Sequence, residues 1–93
     1  MPVSHMFISG RVQGVGFRYF VARLASKYSV CGFVRNLANG DVEVYAEGEE
    51  KELDEFRSKV KTGPSHALVV RVAENGVPIM SSNFKSFDIL EDE

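Results

Sequence analysis

Gly10-Arg11-Val12-Gln13-Gly14-Val15-Gly16-Phe17-Arg18 is the stretch that fixes how the rest of the chain is read. Before it, Met6, Ile8, Gly10 and Val12 alternate with Phe7, Ser9 and Arg11, the two-residue period of a strand over 4–12. After it, Phe20, Val21, Leu24, Ala25 and Tyr28 recur at helical spacing, with Arg23, Ser26 and Lys27 on the other side. A helix is therefore predicted from about Tyr19 to Tyr28, opening on Arg18. The first N–H groups of a helix have no partner within it, and the helix dipole adds partial positive charge there. Gly14 and Gly16 let the preceding turn curl so that its own N–H groups point the same way, which makes an anion-binding nest.

Arg18 stands out at that junction. A cation in the first helical turn opposes the dipole at a cost of about 0.3–1 kcal/mol. A solvated arginine tolerates this. An arginine that reaches back over the turn to share an anion with the nest is rewarded for it. Guanidinium suits the second task, being permanently charged, planar and able to donate two parallel hydrogen bonds to a tetrahedral oxyanion. The site expected is a phosphate cradle formed by Gln13, Gly14, Val15, Gly16 and Phe17 with Arg18 beside it.

Farther along, Val30–Asn36 is rich in β-branched and aromatic residues and reads as a second strand. Asn39-Gly40 is a strong hairpin signal, because both central positions of the favoured turn want positive φ. Val42, Val44 and Ala46 alternate with Glu43, Tyr45 and Glu47, a third strand expected to be half exposed. Gly48 breaks the pattern, and Glu49–Lys61 reads as a helix with Leu53, Phe56 and Val60 on one stripe. Its acidic residues come first and its basic residues last, matching the dipole that Arg18 opposes. Gly63-Pro64 ends it. A strand over Ala67–Val72, a loop over Asn75–Asn83 and a short last strand within Phe84–Leu90 complete the chain. The order β-α-β-β-α-β predicts an α+β, ferredoxin-like sandwich: a four-stranded antiparallel sheet, plus a short terminal strand, with two helices on one face. In that arrangement the ends of strands one and two share an edge, which brings Asn36 toward the 14–18 turn.

Ninety-three residues with 44% apolar side chains suit one domain, expected over 4–91, with Met1–Ser4 and Glu91–Glu93 as frayed ends. Ser4-His5-Met6 has the look of an appended remnant, yet it runs directly into the strand pattern and belongs with it. The single cysteine, Cys31, excludes an internal disulfide and favours a reducing, cytoplasmic home. No apolar run approaches the roughly 18 residues of a membrane span. A formal net charge of −2 argues against a general nucleic-acid binder. His5 and His66 lack a carboxylate or cysteine at ligand spacing, so no metal and no cofactor are expected. The turn has no lysine of a Walker loop and no third glycine at the dinucleotide spacing. It has no nucleophile either. What remains is positional and electrostatic catalysis of an easy reaction, such as transfer of a phosphoryl group from a carboxylate leaving group to water. Asn36 can hold such a water through its amide but cannot serve as a general base. Its plainer reading is a turn residue before a hairpin.

At these residues the sequence resembles the acylphosphatase family. Ile8-Ser9-Gly10-Arg11-Val12-Gln13-Gly14-Val15-Gly16-Phe17-Arg18 matches one family signature. Gly32-Phe33-Val34-Arg35-Asn36, with Gly40, Val42 and Gly48, matches a second. Gly63-Pro64 and Phe87-Asp88-Ile89 also look like family features, while Glu74–Ser86 is less typical. The resemblance implies hydrolysis of small acyl phosphates to carboxylate and phosphate without metal. Arg18 and the Gln13–Phe17 backbone would hold the phosphate, and Asn36 would orient the water. Inorganic phosphate would act as product and inhibitor, and a monomer with no membrane or nucleic-acid partner is expected. Leu37 replaces a hydroxyl residue found in some members, which is expected to tune the rate.

Two other readings share this pattern. Acylphosphatase-like domains also open larger carbamoyltransferases of hydrogenase maturation, although a chain of one domain favours a free-standing enzyme. RNA-recognition domains share the element order. Here, however, Val15 stands where a stacking aromatic is needed, Arg18 replaces an apolar residue, and the glycine-rich stretch follows strand one instead of lying on strand three.

Overall fold

The computed structural model describes residues 1–79 and 84–93. Its elements run β1 (Val3–Arg11), α1 (Phe17–Tyr28), β2 (Cys31–Asn36), β3 (Val42–Glu47), α2 (Glu50–Thr62), β4 (Leu68–Asn75) and β5 (Phe87–Ile89). The sheet order is β4-β1-β3-β2-β5. The first four strands pair antiparallel, and β5 adds to β2 in parallel. This is the ferredoxin-like sandwich, with the terminal strand extending its sheet. The helix after the glycine turn begins at Phe17, two residues before the sequence expectation. Gly16, at φ 77°, serves as its cap and lets the helix start at once.

Both helices cover one face. Val21 and Ala25 of α1 and Leu53, Phe56 and Val60 of α2 meet Met6, Ile8, Val34, Val42, Val44 and Ala46 of the sheet. Each such side chain removed from water contributes about 1.5–3 kcal/mol for the larger residues, the main favourable term here. Strand alternation sends His5, Phe7, Phe33, Glu43 and Tyr45 to the opposite face. That face is more covered than expected. All of Val42–Ala46 is buried. Tyr45 stacks on Phe33 at 5.8 Å, Phe84 tilts against both rings, and the Ile79 N–H donates to the Tyr45 hydroxyl at 3.2 Å. The chain after β4 thus returns over the outer face, something strand alternation does not encode. The expected loop over Asn75–Asn83 falls partly, at 80–83, outside the described residues.

The ends, expected to be frayed, are in part tied down. Val3 and Ser4 belong to β1, and the Ser4 hydroxyl donates to Glu74 at 2.7 Å. The last residues continue beyond β5 along β2. The Leu90 N–H donates to Val34 O at 2.9 Å and the Glu93 N–H to Asn36 O at 3.0 Å. Strand β2 would otherwise be an edge with free carbonyls, and the tail satisfies them.

Candidate active site

Pairing register places the two halves of the site. Val42 stands opposite Ile8 on one side and Asn36 on the other, so the ends of β1 and β2 lie at one edge of the sheet. The loop from Val12 to Gly16 leaves that edge and enters α1. Its shape is set from below: Val12 and Phe17 are buried in the core and Val15 packs against it, while Gly14 and Gly16 face outward. Both glycines have positive φ, 75° and 77°, and a Cβ at either would meet nothing within 4 Å. Backbone conformation, not packing, therefore requires glycine there.

The N–H groups are arranged as the sequence suggests. The first bond inside α1 runs from the Phe20 N–H to Gly16 O at 3.0 Å. Phe17, Arg18 and Tyr19 thus have no acceptor within the helix. Among the described residues, Gly14, Val15 and Gly16 donate to no backbone or side-chain acceptor either. No acidic residue lies in the first turn and no side chain caps it. The positive end of the dipole is left uncompensated, as suits a bound anion.

Arg18 sits beside this turn and donates to the Asp92 carboxylate at 3.2 Å. Its side chain is 32% exposed and that of Asp92 61%, so the pair is worth no more than about 1 kcal/mol. A dianionic phosphoryl group offers two charge-assisted hydrogen bonds and displaces such a partner readily. Asp92 and Glu93 went unnoticed as site residues in the sequence, where a terminal acidic run reads as solvated. The only available signal was an acidic tail in a chain with an otherwise uncompensated arginine. Glu93 also accepts the Ala38 N–H at its Oε1, at 3.2 Å. The tail therefore spans the site, touching Arg18 on one side and the end of β2 on the other.

Asn36 is the last residue of β2 and only 6% exposed. Its Oδ1 is buried without a hydrogen-bond partner in the protein. The plain turn reading fails, because the turn has its own residue: Asn39 Oδ1 accepts the Asp41 N–H at 3.0 Å. A buried amide oxygen left without a partner costs about 1–3 kcal/mol, a cost that a small hydrogen-bond donor bound beside it would relieve.

Gln13 joins the two halves. Its Nε2 donates to Leu37 O at 2.9 Å and to Asp41 O at 2.8 Å. Cys31 begins β2 at the end opposite Asn36, away from the site. His5, which spacing alone left without a carboxylate, has a cross-strand partner in Glu43 at 2.7 Å, and Arg35 occupies that carboxylate's other oxygen at 2.7 Å. This trio lies on the outer sheet face.

Comparison with known proteins places the chain in a family. The acylphosphatase family model matches residues 4–89. The chain is 46% identical to an acylphosphatase of Archaeoglobus fulgidus, covering 96% of this chain and 98% of that one. It is 49% identical to an acylphosphatase of Pseudothermotoga lettingae, over 97% and 99%. The crystal structure of acylphosphatase from Bacillus subtilis superposes with a TM-score of 0.90 at 37% identity, covering 97% of this chain and 99% of that one. Fold and relatives agree over nearly the whole length, and the chain belongs to the acylphosphatase family.

Proposed function

We propose that this chain, acting as one domain over residues 4–91, hydrolyses acyl phosphates to a carboxylate and inorganic phosphate. The observation that carries the reading is the pairing, at one sheet edge, of an anion-ready loop beside Arg18 with the buried, unpartnered amide oxygen of Asn36. The phosphoryl group sits in the loop of Gln13–Phe17, its oxygens taking the free N–H groups and the Arg18 guanidinium. These donors stabilise the charge that spreads over the equatorial oxygens in the transition state. The Asn36 amide holds a water in line with the P–O bond to be broken. The water oxygen bonds to phosphorus, the carboxylate leaves with the electrons of the old bond, and the proton passes to a phosphate oxygen.

A carboxylate is a good leaving group and needs little acid assistance, so the reaction requires no metal. Loop and arginine contact only the phosphate, which favours a broad range of small acyl groups and makes inorganic phosphate both product and competitive inhibitor. The chain works as a monomer in the cytoplasm, with no nucleic acid or membrane as partner. Relatives named acylphosphatase and covered over 98% and 99% of their own length support this activity.

Hydrolysis of benzoyl phosphate tests this, followed with and without EDTA for the wild type, Arg18→Ala and Asn36→Ala. Loss of one preorganised transition-state donor typically costs about 10²–10³ in rate. Both variants are expected to drop by that factor while folded, and EDTA is expected to leave the wild type unchanged. Full activity in both variants contradicts the assignment.

A further inference from the structure

The catalytic groups of this reading come from separate chain segments, and among the described residues no backbone hydrogen bond joins the loop 12–16 to Asn36 or the turn 37–41. Arg18 follows β1, and Asn36 closes β2. Among the described residues, one side chain forms the direct hydrogen bonds between the loop 12–16 and the turn 37–41, and it is Gln13. Its Nε2 carries two hydrogens and places both: one on Leu37 O at 2.9 Å, the other on Asp41 O at 2.8 Å. Those two carbonyls are the ones that close the turn. Leu37 O also accepts the Gly40 N–H at 3.1 Å, and Asp41 O also accepts the Leu37 N–H at 2.8 Å. Gln13 is thereby built into the turn's own hydrogen-bond pattern, one residue from Asn36. The other bridge, through Asp92 and Glu93, runs over the surface and is ionic where it meets Arg18. The Gln13 bridge is neutral and partly buried, so salt and mobility weaken it less.

We propose that Gln13 is a positioning residue whose side-chain amide fixes the separation between the phosphate cradle and the water held by Asn36. This rests on the acylphosphatase reading above and adds to it a role for the side chain, where that reading used only the Gln13 backbone. Neither half of the site needs the bridge to exist. The loop is anchored by Val12, Val15 and Phe17. Asn36 is anchored by its pairing with Val42. What the bridge governs is their distance. In-line attack depends steeply on that distance, and a misplacement of about 1 Å can cost on the order of 10² in rate. Binding of phosphate alone does not depend on it.

The test is the split between turnover and phosphate binding. Gln13→Met keeps the length of the side chain and removes both donors. Gln13→Asn keeps both donors on a stem one carbon shorter and serves as a second variant should the first fold poorly. For each, kcat on benzoyl phosphate and the inhibition constant of inorganic phosphate are measured well below the melting temperature. Gln13→Met is expected to lose about 10-fold or more in kcat, with phosphate inhibition within about 2-fold of wild type. Gln13→Asn is expected to show the same split, smaller. An inhibition constant that rises in step with the loss of turnover would mean that Gln13 shapes the cradle itself, and an unchanged kcat would mean that the bridge is inert; either overturns the proposal. A wild type without acyl phosphate hydrolysis instead removes the underlying reading, so the two failures are separable.

Discussion

Asn36 buries its Oδ1 with no hydrogen-bond partner among the described residues. A buried Oδ1 without a partner destabilises, and an apolar side chain of similar size at that position is neutral or favourable. Asn36→Leu is therefore expected to leave the melting temperature unchanged or raise it by a few degrees, while hydrolysis falls about 10²–10³-fold. Thermal unfolding beside the benzoyl phosphate assay checks this; a clearly lower melting temperature would mean that Asn36 is structural. Gly16 makes the complementary case. Its φ of 77° and open surroundings mean that Gly16→Ala meets no clash but adopts a left-handed conformation, at about 1–2 kcal/mol. For a chain of this size that is a drop of several degrees in melting temperature. Arg18 was readable in the sequence because a cation is the wrong type for the first turn of a helix, and Gly16 because the tight turn before that helix calls for glycine. Asn36 was readable through the element order, which brings it toward the glycine turn, and through the family signature, although by local chemistry it passes for a turn residue. Its burial decides otherwise, and burial depends on distant chain.

Helix α2 and strand β4 are joined by a charge cluster in which Glu74 accepts from Arg57, Lys61 and Ser4. The Arg57 guanidinium foremost, then Lys61 and Ser4, hold the Glu74 carboxyl down to about 2, against 4.5 ordinarily and against the opposing effect of burial. The folded chain thus binds fewer protons than the unfolded chain between these values. The stabilisation is complete above about pH 4.5 and is lost as pH falls toward 2. Melting temperature is expected to fall over that window, and Glu74→Gln to flatten the fall at the expense of about 1 kcal/mol at neutral pH. An equal slope in the variant would assign the acid sensitivity elsewhere. The tail is the second such joint. Asp92 competes with a bound anion for Arg18, so Asp92→Asn is expected to tighten inhibition by phosphate up to about 5-fold at low salt, fading as salt rises. Weaker inhibition would mean that Asp92 orients Arg18 for its task. The two helices, β1 and β3 were predictable because their periods are clean, and β2 because its residues favour strands; β4, expected over 67–72, runs on to Asn75. The parallel docking of β5 and the tail was not, because three residues of strand carry no signal of which edge they join.

Over the molecule as a whole, the sequence patterns that specify the fold also position the site. Alternation in β1, β2 and β3 sets a register in which Ile8, Val42 and Asn36 fall in line, and the glycine turn then leaves from the edge where Asn36 ends. The outer face shows where pattern reading stops. Tyr45 and Glu43 alternate with core residues as solvent-facing positions would, yet Phe84 and the chain near Ile79 cover that face. The opposite margin of the sheet is less protected, with Val70 of β4 70% exposed on an edge strand. The division of labour between the glycine loop with Arg18 and the amide of Asn36 is what the account stands on. Titration of inorganic phosphate, followed by the backbone amide signals of residues 14–18, measures it without turnover. The wild type and Asn36→Ala are expected to show the same saturable shifts at those amides, and Arg18→Ala to bind at least about 10-fold more weakly. Shifts that bypass this loop, or that persist undiminished without Arg18, would contradict the account.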